Sequence, residues 1–151
     1  MSDKYKVAII GCGGMGASHA RAWSGKDQVE IVGFADVSQE SADKLAAEYG
    51  VSGYADYNQL IAENSPDIVS VTTWQNVRAD ITVAAADAGV KGILGEKPMA
   101  ASSGESADML EACERNGVKL AIGHQRRYLP QNVATRRLGM EGAVEPPTGV
   151  L

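Results

Sequence analysis

Six consecutive positions, Gly11-Cys12-Gly13-Gly14-Met15-Gly16, follow at once on the apolar run Lys6-Val7-Ala8-Ile9-Ile10 and give the spacing G-x-G-x-x-G. An apolar run that empties into such a turn reads as a strand turning tightly into a helix. The glycines have separate physical jobs there: Gly11 permits the sharp turn, Gly13 lets backbone approach a pyrophosphate, and Gly16 lets the helix pack closely on the strand. The N–H groups of this turn, Cys12, Gly14 and Met15 included, join the positive end of the helix dipole in an anion site that needs no basic side chain. Turns of this kind also serve flavins, methyl donors and mononucleotides, so other residues must choose the ligand. Asp36 does so, because it closes the next apolar run, Ile31-Val32-Gly33-Phe34-Ala35, twenty residues beyond Gly16. A carboxylate at that spacing accepts from both ribose hydroxyls of an adenosine, whereas its other reading is a cap for the helix that follows. The same charge repels a 2′-phosphate, and neighbouring Val37 and Ser38, which border the ribose site, offer no arginine to bind one. NAD is expected over NADP.

Two further strand ends carry chemistry. The run at 68–72 leads into Thr73-Trp74-Gln75, and the fifth apolar run, Gly92-Ile93-Leu94, leads into Gly95-Glu96-Lys97-Pro98. Ligands of open parallel sheets bind beyond the carboxyl ends of the strands, so these segments belong with the glycine turn. Together the glycine turn, Asp36, the Thr-rich end of strand four and Glu-Lys-Pro after strand five resemble the Gfo/Idh/MocA oxidoreductases, over residues 5–138. Glu-Lys-Pro is the most specific part of the resemblance. It implies that Lys97 sits where the nicotinamide meets the substrate hydroxyl, with Glu96 orienting the loop or the lysine and Pro98 taking a cis bond. An ammonium there hydrogen-bonds a carbinol oxygen and favours the charge that develops as hydride leaves. Thr73, Trp74 and Gln75 are implied to face the cofactor ribose and pyrophosphate, Trp74 either as a stacking wall or packed under its loop. The sequence departs from the family pattern here, with Trp74 in place of proline and Arg78 in place of histidine. Gln125 and Arg127 lie at the exit of strand six, Gln125 beside the cofactor and Arg127 either binding a polar substrate or pairing at a domain seam. His124 is given no proton-accepting role, since the family places that role elsewhere.

The resemblance also implies a substrate class, sugars or polyols, and a second α/β domain bearing an Asp-x-x-x-His pair that completes proton transfer. Residues 142–150 faintly resemble the entry to that domain, and no Asp-x-x-x-His follows them. The expectation is therefore cofactor binding with little or no turnover by this chain alone. The competing readings are a non-catalytic NAD(H)-binding module or sensor, and one chain of a split enzyme. A flavin or methyl-donor ligand is disfavoured by Glu-Lys-Pro.

The elements that must position these residues follow from pattern. Strand-helix alternation through six strands predicts an α/β, doubly wound parallel sheet of order 3-2-1-4-5-6, a Rossmann fold at 1–138 with a loose tail at 139–151. Helices are expected at 15–23, after a Ser38 cap up to Gly50, after an Asp56/Gln59 capping box, at 79–88, after a Ser102/Glu105 capping box up to Asn116-Gly117, and at 130–138. The inner face of the helix after Ser102 reads as Met109, Leu110 and Cys113, and that of the helix at 79–88 as Ile81, Ala84, Ala85 and Ala88. His19, on the first helix, reads as a core-edge residue without chemistry.

Composition sets the bounds. A chain of 151 residues, 44% apolar and 22% charged, is an ordinary globular domain. A net charge of -5 argues against nucleic acid, and no run approaches the length of a membrane span. The start, Met1-Ser2-Asp3-Lys4, has no apolar signal core after it, and a cytoplasmic address follows by default. Cys12 and Cys113 are too few for a disulfide framework or a zinc site. Cys12 reads as a small residue fitted to a tight turn, although a helix N-terminus also lowers thiol pKa values. Without a second domain, the faces that would pack on it are expected to drive self-association or to leave the C-terminus mobile.

Overall fold

A computed structural model describes residues 4–143. Its strands are β1 (Tyr5–Ile10), β2 (Val29–Ala35), β3 (Ser52–Tyr54), β4 (Ile68–Val71), β5 (Gly92–Gly95) and β6 (Lys119–Ile122). Its helices are α1 (Gly14–Ser24), α2 (Gln39–Tyr49), α3 (Tyr57–Asn64), α4 (Gln75–Asp87), α5 (Ser103–Arg115) and α6 (Pro130–Met140), with a 3₁₀ turn at Gln125–Tyr128. The strands pair in parallel in the order β3-β2-β1-β4-β5-β6, as the alternating pattern predicts. Alternate residues of β1 supply both faces. Val7 and Ile9 pack with Phe34, Leu45, Ala46 and Ala20 beneath α1 and α2. Ala8 and Ile10 join Val69, Val71 and Ile93 in a core that α3, α4 and α5 cover with Leu60, Ile81 and Ala112. Burial on both faces explains why the strands read as continuous apolar runs.

Several boundaries and faces differ from the sequence expectation. The fourth helix begins at Gln75, four residues before Ala79, and its buried stripe is Arg78, Ala79, Ile81, Thr82, Ala85 and Ala86, whereas Ala88 is exposed. Starting the helix earlier brings Arg78 into phase with Thr82 and Ala85. On α5 the buried positions are Met109, Ala112 and Cys113, at i, i+3 and i+4; Leu110 falls off that stripe and is half exposed. Ser38 caps α2 by accepting from the Ser41 amide at 3.3 Å. Asp56 caps α3, but no capping box forms there, because Gln59 reaches Glu63 at 2.9 Å instead. At α5 the box forms one residue out of step: Ser102 accepts from the Glu105 amide, and Glu105 accepts from the Ala101 amide. The last helix runs through Gly139 to Met140, so the tail begins later than expected, and residues 144–150 lie outside the described part. No helix among the described residues is long and apolar enough to cross a membrane.

Candidate functional site

The carboxyl ends of β1, β2, β4 and β5 open into a cavity of about 780 Å³, within the range of small-molecule sites. Its wall contains Gly13, Asp36, Trp74, Glu96 and Lys97. A smaller cavity of about 260 Å³ lies at the amino ends of β4 and β5, beside the exposed Lys91–Asp67 ion pair of 2.7 Å.

The glycine turn divides its work. Gly11 has φ +98, and a side chain there would strike Thr72 backbone at 2.9 Å. At Gly16 a Cβ would lie 2.0 Å from the Gly11 carbonyl oxygen, so close helix–strand packing is what excludes it. Gly13 and Gly14 are different, because a Cβ at either meets nothing within 4 Å. The protein's own packing does not demand glycine at these two positions; the open cradle faces the cavity. Gly13 stands at the N-cap of α1 with no side chain capping the helix, which leaves the first-turn donors without a side-chain acceptor. Gly11 and Met15 complete the cavity rim.

Cys12 works from behind the turn. Its amide donates to Asp36 Oδ2 at 2.7 Å, and its sulfur lies 3.5 Å from the Ala35 carbonyl. Burial, with a further push from the Asp36 charge, drives the thiol up to about 12. It is a neutral structural thiol, and the thiolate that a helix N-terminus allows does not form. The other oxygen of Asp36 accepts from the Ser38 amide at 2.9 Å. Two amides thus hold the carboxylate at the cavity edge and leave lone pairs on both oxygens. Val37 is fully exposed at the rim, while Ser38 is occupied with capping α2.

Beyond β4, Thr72 ties the two central strand ends together, with Oγ1 2.7 Å from the Gly11 carbonyl and 3.1 Å from that of Ile10. Sequence reading took Thr72 for a strand residue and missed this role. Thr73 Oγ1 is buried in the cavity wall with no partner among the described residues. Trp74, at the N-cap of α4, is 79% exposed and lines the cavity, which excludes packing under its own loop. Gln75 opens α4 beside it. Arg78, 2% exposed, donates to the carbonyls of Thr73 and Pro98 and so fastens the loop after β4 to the turn after β5. Burial pulls its guanidinium below the ordinary value, and the Glu96 charge pushes it back.

The turn after β5 places Glu96 inward and Lys97 outward. Glu96 is 4% exposed; its Oε1 lies 3.2 Å from His19 Nε2, and its Oε2 accepts from the Lys97 amide at 3.2 Å. The Lys97 side chain is exposed at the cavity, and its ammonium makes no ion pair among the described residues. The Lys97–Pro98 bond is cis, as the sequence reading expected. Gln125 and Arg127 sit in the exposed 3₁₀ turn and are not in the cavity wall, so the structure does not bring them to the site. His19 sits at the edge of the core, as a core-edge reading expects, and there joins a part-buried polar network whose members, Ser70 and Glu96, are distant in sequence.

A family model described as the NAD-binding Rossmann fold of an oxidoreductase family, GFO_IDH_MocA, matches residues 5–124. The chain belongs to the Gfo/Idh/MocA oxidoreductases. Among the relatives of this Gfo/Idh/MocA chain, the D-apiose dehydrogenase of Paraburkholderia graminis is 31% identical over 145 residues, 95% of this chain and 38% of that protein. The inositol 2-dehydrogenase of Salmonella paratyphi B is 31% identical over 148 residues, 94% of this chain and 43% of that protein. Among solved structures, GenD2 from gentamicin A biosynthesis, in complex with NAD, superposes with a TM-score of 0.88 at 26% identity, over 95% of this chain and 41% of that one. The chain thus spans about two fifths of the length of the relatives it matches, and the part it shares with them is the family's NAD-binding Rossmann domain.

Proposed function

We propose that this chain binds NAD(H) along the carboxyl edge of its sheet and serves hydride transfer between nicotinamide and a hydroxyl of a sugar or polyol. The observation that carries the reading is the convergence on one cavity of an open glycine cradle, the Asp36 carboxylate and the Lys97 ammonium. These residues fit a dinucleotide. The cradle at Gly13 and Gly14 takes the pyrophosphate, with Gly11, Cys12, Met15 and Gly16 shaping it. Asp36 receives the adenosine ribose on its free lone pairs, and its charge favours NAD over NADP. Val37 borders the ribose, Thr73 Oγ1 and Gln75 offer polar contacts beyond β4, and the exposed Trp74 indole forms a stacking wall.

Bound there, the oxidised cofactor supplies the hydride acceptor. Lys97 donates to the carbinol oxygen, and its positive charge stabilises the alkoxide-like oxygen as the C–H bond gives up its electron pair. Glu96 holds the backbone of that lysine. The hydroxyl proton must leave as well, yet Glu96 is committed to His19 and Lys97, and Asp36 to the cradle and ribose. The proton acceptor is therefore neither of these two carboxylates, and the residues named so far give by themselves cofactor binding with little or no turnover.

The test is titration of the purified chain with NADH and NADPH, following energy transfer from Trp74 to the reduced nicotinamide. Saturable NADH binding that is lost in Asp36→Ala, with NADPH binding weaker than NADH in the wild type, is expected. Equal affinity for the two cofactors, or no saturation with either, overturns the proposal.

A further inference from the structure

A continuous chain of polar groups runs beneath the site from α1 to the Lys97 turn. Trp23 Nε1 lies 3.4 Å from Ser70 Oγ, Ser70 Oγ 2.7 Å from His19 Nδ1, and His19 Nε2 3.2 Å from Glu96 Oε1. The Lys97 amide closes the chain at Glu96 Oε2. Donor chemistry gives the chain a direction. An indole N–H only donates, so Ser70 Oγ accepts from Trp23 and sends its own hydrogen to Nδ1. The ring hydrogen of a neutral His19 then sits on Nε2, facing the carboxylate, and every group is satisfied.

Ser-His-Glu in this order has the contacts of an activated nucleophile. Ser70, however, is 0% exposed in the central strand β4, so no substrate reaches it. The chain's open end is at Glu96, and the fold makes room for that carboxylate on purpose: a Cβ on Gly123, just past β6, would lie 2.9 Å from Oε1. The charged groups around His19 are Glu96 on the β5 turn and, beyond that carboxylate, Arg78 from α4; Lys97 projects away into the cavity, and Trp23 and Ser70 are neutral.

We propose that His19 is a positioning residue for Lys97: by holding one oxygen of Glu96 it fixes the carboxylate whose other oxygen receives the Lys97 amide. Helix α1, which begins at the glycine cradle, and the turn that carries Lys97 then move as one unit. The proposal rests on the reading that Lys97 meets the reacting hydroxyl.

Nuclear magnetic resonance of the ¹⁵N-labelled 151-residue chain tests it. The ring nitrogens of His19 are expected to show the Nε2–H tautomer of the neutral ring. In His19→Leu the Lys97 amide resonance moves. In His19→Gln, whose side-chain amide still donates to Glu96, the amide stays near its wild-type position. NADH titration of the same samples is expected to weaken about fivefold in His19→Leu and less than twofold in His19→Gln. A Lys97 amide that keeps its wild-type position in His19→Leu, or moves as far in His19→Gln as in His19→Leu, overturns the proposal. Failure of the wild type to bind NADH overturns the cofactor reading instead, while the amide positions still decide the role of His19.

Discussion

Single residues of the glycine turn separate what the fold needs from what the ligand needs. At Gly16 an added Cβ meets a backbone oxygen at 2.0 Å, and neither partner can swing aside. Gly16→Ala is therefore expected to cost about 2–4 kcal/mol, seen as an early urea midpoint. Gly13→Ala has the opposite signature, since its Cβ points into open cradle. It should leave the melting temperature within about 2 °C of wild type, because the change touches no neighbour, yet weaken NADH binding about tenfold or more by blocking backbone approach. Equal losses of stability and affinity would show that Gly13 is held by the fold. Cys12 gives a pH prediction. Its folded thiol stands at about 12 against an ordinary 9.0, so below pH 9 both folded and unfolded forms are protonated and the stabilisation is fully present. Between 9 and 12 the unfolded chain releases a proton that the folded chain keeps, and stability falls with pH. Cys12→Ala should flatten that part of a urea-midpoint profile. Thiol reagents at pH 8 should leave the native Cys12 unmodified. The glycines and Asp36 were legible because their spacing is local. Thr72, His19 and Arg78 were not, because each acquires its role from a partner 20 to 77 residues away.

Elements carry the next layer. The parallel order of the sheet was readable from strand–helix alternation, since crossovers have one hand and the apolar runs are buried on both faces. Helix ends were readable where glycine adopts positive φ, as at Gly50 and Gly89. The start of α4 was not, because Trp74 stands where the family pattern has proline, and it caps the helix without a side-chain bond. Missing those first four residues concealed Arg78, which pins two strand-end loops together. Arg78→Met removes both donors and a cation whose charge acts on Glu96, leaving two carbonyls and a buried carboxylate less satisfied. Its own Nε has no partner among the described residues, so relief of that burial offsets part of the loss. The net expectation is a destabilisation of about 1–3 kcal/mol, read by urea unfolding through Trp23 fluorescence. A neutral or stabilising result would mean that the two loops hold their positions without the guanidinium.

At the scale of the whole molecule, the sheet is covered unevenly. No residue of the 3₁₀ turn or of α6 is buried, and Tyr128, Val133 and Met140 are 81%, 51% and 78% exposed. An eleven-residue helix with nothing buried is marginal by itself, because helices this short draw most of their stability from packing an apolar face. Among the described residues strand β6 is the last of the sheet, paired on one side by β5. We infer that this flank associates with a second copy when the chain stands alone, the apolar side chains of α6 supplying the contact. The net charge of -5 opposes association weakly at low salt and less as salt rises, so the dimer should strengthen between 0.05 and 0.5 M salt, on the order of the range over which surface charges are screened. Sedimentation velocity over a concentration series is expected to show a monomer–dimer shift, abolished in Val133→Asp with the glycine-turn site still able to bind NADH. A particle that stays monomeric at every concentration and salt would sink the inference, and α6 would then owe its order to the preset backbone of Pro130 in its first turn rather than to a covering surface.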